Sequence, residues 1–213
     1  MIHRQSDLTS AVSRQTKDRS TIVSGREWLV LVALIASGAG LRLLFRDLPN
    51  FAPVAALALF AGYYFRSIVV AIVVPVAVMA LSDWFMGGYD WQLMALVYGM
   101  LAFPVLLRTP LRRLFRFGRP GFAGTALPLV GLVGCSLLSS ILFFIVTNFG
   151  VWAWFGFGAY EPTLTGLWHC YLAAIPFFRY TVAGDLTFSI VLFGSYAMAH
   201  ALSTARVLAQ QAA

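Results

Sequence analysis

Two carboxylates stand out in a chain with few charges. Asp83 closes a long apolar run, and Asp185 follows Gly184 at the start of another. Ionisable groups beside apolar spans are functional candidates by default. Arg42, Arg46 and Arg179 are the cations placed to meet them, either as pairs that pin helices or as partners in a ligand site. A helix N-terminus also favours a carboxylate, which gives Asp185 a structural reason that Asp83, at a C-terminal end, lacks. His169 and Cys170 are adjacent, and neighbours on a helix point about 100° apart, so they do not converge on one ion. No third ligand stands at metal spacing, and neither a metal nor a cofactor is expected. There is no phosphate-cradling Gly-rich loop with a Lys and no Ser–His–Asp set, because His3 lies in the tail and His200 near the chain's end. The chain does not read as an enzyme.

The elements that must position these groups follow from composition. Of 213 residues, 60% are hydrophobic and 11% charged. A soluble domain carries roughly 25% charged residues, and a disordered chain needs low hydrophobicity. The expectation is an all-α membrane protein, a six-transmembrane-helix bundle. The spans are Trp28–Phe45, Ala52–Phe65, Ile68–Phe85, Trp91–Leu107, about Gly124–Val146 and Val182–Leu202. Residues 1–26 read as a flexible cytoplasmic tail, 27–203 as the transmembrane domain and 204–213 as a C-terminal tail. None of the spans alternates like a barrel strand, so helices must satisfy the backbone in lipid. Ala52–Phe65 is short, and Ala52–Phe85 could form one helix with Arg66 inside it. A hairpin at Arg66-Ser67 instead puts the cations of the tail and of the Arg108–Arg119 loop on one side, as the positive-inside rule requires. Twelve cations then lie inside, while Arg42, Arg46 and Arg179 lie outside. Both termini are expected in the cytoplasm of an inner membrane. Basic clusters that abut apolar spans serve orientation, so nucleic acid is not an expected partner.

Under this topology the outer face holds the remaining polar chemistry. Leu48–Val54, Ser82–Gln92 and Thr147–Asp185 lie there, with five of the six tryptophans: Trp84, Trp91, Trp152, Trp154 and Trp168. Thr163–Ile175, between Pro162 and Pro176, has the length of a short outer interfacial helix. Aromatic belts form at both interfaces, so the one-sided excess points to rings that line a concave site. The expected binding residues are Trp84, Asn148, Trp152, Tyr160, His169 and Tyr171. Asp83, Arg179 and Asp185 supply charge, and a Gly-punctuated Phe149–Ala159 stretch acts as a lid. The competing reading is an aromatic surface that docks another protein in an assembly or regulatory role.

PNFAPVAALALFAG, LSDW, TNFGVW, YEPTLTGLWHCYLAAIPFF and GDLTFSIVLFG together resemble a family of small bacterial membrane proteins of unassigned function. The chain is similar in architecture to the substrate-binding S components of energy-coupling-factor transporters, and most like solitary cobalamin-transporter-type members. The resemblance implies capture of a small vitamin-like or cofactor-like molecule from outside, with cobalamin the leading single guess. It also implies a scaffold subunit and ATPase subunits as partners. The scaffold contact would use small residues such as those in Ala33–Ser37 and Ala36–Gly40. Where a thiol could meet cobalt, this chain has Ala80-Leu81-Ser82. Tyr89-Asp90 and Gly184-Asp185 superficially resemble the elements of intramembrane aspartyl proteases, but Val182 stands where that pattern needs a glycine.

Overall fold

The computed structural model describes residues 24–115, 122–155 and 159–212. They are helical, with no strand among them. The chain divides into two units, Met1–Ala33 and Leu34–Ala213. In the first, Ser24 and Glu27 form a reciprocal capping box. The Ser24 N–H donates to Glu27 Oε2 at 2.9 Å, and the Glu27 N–H donates to Ser24 Oγ at 3.2 Å. This box starts helix α1, Gly25–Leu44, which continues into the second unit.

The second unit is organised around a short helix, α2, Val54–Tyr64. Its eleven residues rise about 16 Å, half of a roughly 30 Å hydrocarbon core. Every residue from Val54 to Gly62 is buried. Two glycines permit that depth. A Cβ on Gly62 would lie 2.9 Å from the Val105 carbonyl oxygen, and one on Gly38 of α1 would lie 2.5 Å from a Leu57 methyl of α2. The C-terminal carbonyls of α2 are met by arginines. Arg112 donates to the Tyr63 and Phe65 carbonyls at 2.9 and 2.6 Å, and Arg108 to that of Arg66 at 2.7 Å. Part of the basic loop therefore caps a buried helix end, a role that orientation in the membrane does not require.

Chain reversal at Phe65–Ser67 confirms the hairpin expected from charge placement. Phe65 is extended (ψ 137°), and Ser67 Oγ accepts from the Val70 N–H at the start of α3, Ile68–Met86. Next come α4, Trp91–Ala102, a 3-10 turn at Phe103–Leu107 and α5, Arg108–Leu114. Then follow α6, Phe122–Gly150, a π-helical turn at Val151–Phe155, and α7, Leu164–Ala212. Tyr63 and Tyr64 belong to a packed ring cluster with Phe60, Phe193 and Tyr196.

Among the described residues, five helical segments are long and apolar enough to cross a membrane: Gly25–Leu44, Ile68–Met86, Trp91–Leu114, Leu127–Trp154 and Leu164–Gln211. The second expected span, Ala52–Phe65, contributes only α2, which is too short to cross. A second expectation is corrected at α7. Thr163–Ile175 is no separate interfacial helix, because Pro176 lies inside one 49-residue helix that also includes residues 204–212 of the expected tail. Its buried seam runs through the proline: Cys170 and Ala174 before it, Thr181, Asp185, Ser189 and Phe193 after it. Continuous packing outweighs the one backbone hydrogen bond that Pro176 removes, as spanning helices tolerate. Asp185 is thus 21 residues inside a helix, and the N-terminal dipole does not explain it.

Candidate functional site

A cavity of about 330 Å³ opens at the N-terminal end of α2. Seven parts of the chain build most of its wall. Arg42, Phe45 and Arg46 come from α1, and Leu48–Ala52 from the link before α2. Met79 and Met86 come from α3, and Tyr89 from the turn after it. Leu93, Val97 and Leu101, at four-residue spacing, present one stripe of α4. Phe143 of α6 and Thr181 and Asp185 of α7 complete it. None of the residues of α4 is buried, so this helix forms a thin wall to the cavity. A second cavity of about 190 Å³ shares Asn50, Leu93, Val97 and Phe143 with the first and extends to Thr147, Asn148 and Phe178. Asn50 sits at this junction with φ 62°, a left-handed conformation that Asn tolerates better than most side chains.

One edge of the larger cavity is a charge-paired cluster. Arg42 donates to Asp83 Oδ1 and to Ser82 Oγ, and the Tyr98 hydroxyl donates to Asp83 Oδ2 at 2.7 Å. The Arg42 and Asp83 side chains are 16% and 7% exposed. The expectation that one of the two aspartates pairs with Arg42, Arg46 or Arg179 is met here. Burial, and then the Asp83 carboxylate, push the Tyr89 hydroxyl up to about 12 against the opposing pull of Arg42. Asp185 pairs differently. It is 4% exposed, and its partner is the neutral Ser140 hydroxyl of α6, which donates to Oδ2 at 2.6 Å.

The expected binding residues divide. Asp185 lines the larger cavity, Asn148 lines the smaller, and Asp83 holds the wall residue Arg42. Trp84 does not join them: it is 84% exposed and points away from the bundle. The Trp152 indole donates to the Glu161 carbonyl at 3.0 Å, and the Tyr171 hydroxyl to the Ile145 carbonyl at 2.8 Å, so both tie local backbone. Tyr160 is half-buried, while His169 and Arg179 are exposed, and none of the three lines either cavity. Cys170 is buried with its thiol against the Asn148 carbonyl, so the His169–Cys170 pair diverges as its spacing implies. Among the described residues no His, Cys, Asp and Glu cluster could hold a metal. In the expected lid, Gly150 is buried and a Cβ there would collide with Leu96, so close packing explains this glycine. Gly156 and Gly158 lie outside the described residues.

Sequence reasoning missed Asn50, Tyr98, Phe143 and Thr181 as members of this region. Asn50 carried a signal, a lone amide between Pro49 and Phe51 in an apolar chain. Ser140 carried another, since Ser136, Ser139 and Ser140 interrupt an apolar span with hydroxyls.

Apolar helices of spanning length, a half-length helix among them and a largely apolar cavity with a few polar groups define a membrane protein with a pocket. The chain belongs to the family described as "Family of unknown function (DUF6580)", whose match covers residues 23–208. No curated protein and no solved structure matches it.

Proposed function

We propose that this protein is a membrane transport component that binds a small molecule in the cavity at the N-terminal end of α2. The observation that carries the reading is convergence. Arg42, Asn50, Tyr89, Thr181 and Asp185 reach one cavity from four parts of the chain, between apolar walls. An apolar pocket with a few placed polar groups is the form that small-molecule sites take, and its volume falls near the lower end of their roughly 300–1,000 Å³ range. A corrinoid is several times too large for it, so cobalamin is not part of the proposal. The ligand is instead a compact vitamin-like or cofactor-like molecule.

The proposal keeps the S-component analogy as its frame, with six hydrophobic segments if α2 is counted as a half-length member. It places the protein in an inner membrane with both termini cytoplasmic and the cavity facing outward. A scaffold with ATPase subunits would energise it, and the exposed Ala36, Ser37 and Gly40 on α1 leave a close-approach face for that scaffold. Labelling from outside should reach a cysteine at Glu161 and miss one at Gly118.

The deciding experiment is purification of the full chain from membranes, followed by mass spectrometry of co-purified small molecules. Wild type should carry a molecule that Asn50→Ala and Thr181→Val lose while still folding. If wild type and both variants carry the same molecule equally, the cavity is not its site. The reading of the protein as a docking partner for another protein then takes over.

A further inference from the structure

We propose that the ligand of this cavity is a cation: a compact molecule with a protonated amine on or beside an aromatic ring, its ammonium held by Asp185. The inference rests on the cavity reading and adds the charge of the occupant.

Asp185 is a buried carboxyl group in the cavity wall, and among the described residues it has no positive partner. Ser140 satisfies one of its roughly four lone-pair sites. Both cations of the same wall are turned elsewhere. Arg42 is engaged by Asp83 and Ser82, while the Arg46 side chain is 68% exposed and lies 3.9 Å from Asp47. Among the described residues no cation forms an ion pair with Asp185. A carboxyl group at this depth stays ionised at little cost only beside a positive partner, and without one burial favours its neutral form. The complement that the wall lacks is a positive charge, and the cavity gives an occupant direct access to Asp185.

The rest of the wall suits an aromatic ammonium ion. Phe45 and Phe51 meet edge to face at 5.3 Å, and Phe143 stands across from α1 on α6. Ring faces attract cations as well as stacking on planar groups. One turn before Asp185, the Thr181 hydroxyl donates to the Phe177 carbonyl at 3.3 Å, which leaves its oxygen lone pairs for a ligand N–H.

Three probes of similar size separate charge from shape: benzylammonium, benzyl alcohol and phenylacetate. Binding to the purified full chain in detergent is read by calorimetry and by the shift in melting temperature at neutral pH. Benzylammonium should bind about ten-fold or more tightly than benzyl alcohol, and phenylacetate should not bind measurably. Asp185→Asn keeps an acceptor for Ser140 and should reduce the ammonium to the affinity of the alcohol. Val97→Trp fills the wall shared by both cavities and should abolish binding of all probes, which separates the site from uptake into detergent. If Asp185→Asn does not fold, the wild-type ratio of ammonium to alcohol decides alone. Equal affinity of ammonium and alcohol overturns the inference and leaves the cavity reading standing, as does preferential binding of phenylacetate. Failure of every probe to bind overturns both.

Discussion

Removing the Asp83 carboxylate should be among the most damaging conservative changes in this chain. Asp83→Asn strips the countercharge from Arg42, whose side chain is mostly buried between α1 and α3. Tyr98 keeps an acceptor in the amide, so the loss falls mainly on the ion pair. Leaving one partner of a buried pair uncompensated costs about 3–5 kcal/mol. For a chain of this length that corresponds to a melting temperature lower by roughly 6–20 °C. Arg42→Met should cost a similar amount by stranding the carboxylate. The double variant Arg42→Met with Asp83→Asn removes both charges and should regain much of the loss, since no uncompensated charge remains. Melting of the four proteins in one detergent tests the cycle. Single variants that melt with wild type would show that water reaches the pair. A double variant as unstable as the two losses added together would refute the coupling itself.

Three other outcomes follow from the geometry. Arg112→Lys preserves the charge that orients the loop but loses the fork that bonds Tyr63 and Phe65, so stability should fall by about 1.5–3 kcal/mol while cysteine-accessibility topology stays unchanged. Gly62→Ala forces a Cβ against the Val105 backbone and should cost about 1–3 kcal/mol, whereas Gly40→Ala, with open space around it, should be neutral or stabilising in the same denaturation assay. The raised pKa of Tyr89 makes the neutral phenol the form favoured by folding. Its contribution is whole below the ordinary value near 10 and is lost as pH rises through about 12. At pH 10.5 wild type and Tyr89→Phe should therefore show equal phenolate absorbance, and a clearly weaker signal in the variant would mean that Tyr89 ionises normally.

The charges made the frame legible. Arg66 between two apolar runs and the basic stretch from Arg108 located the α2–α3 reversal, because charge placement in a membrane is costly enough to decide topology. The Arg42–Asp83 pairing was legible for a related reason, since so few charges adjoin the apolar spans. The continuity of α7 was not. Pro176 is a local stop signal, while the seam from Cys170 to Phe193 that overrides it exists only once α6 is packed alongside. Nor could the site be read in full. Trp84 and Trp168 face outward, and a ring in lipid has the same sequence signature as a ring lining a pocket. The cavity stripe Leu93, Val97 and Leu101 is made of residue types that composition assigns to a core, so nothing in their identity marks a hollow beside them.

The half length of α2 makes the protein an uneven insulator. α2 runs from the cavity at its N-terminal end to the Arg112 cap at the other, a rise of about 16 Å. In the proposed orientation a charge beside Asp185 would stand well inside the low-dielectric layer before any part of the chain has moved. If water fills the mouth, a transmembrane voltage drops mainly across the height of α2, and the field there is about twice that of an undisturbed roughly 30 Å core. A positively charged occupant would then feel the membrane potential as soon as it binds, and its affinity would depend on voltage as well as on contacts.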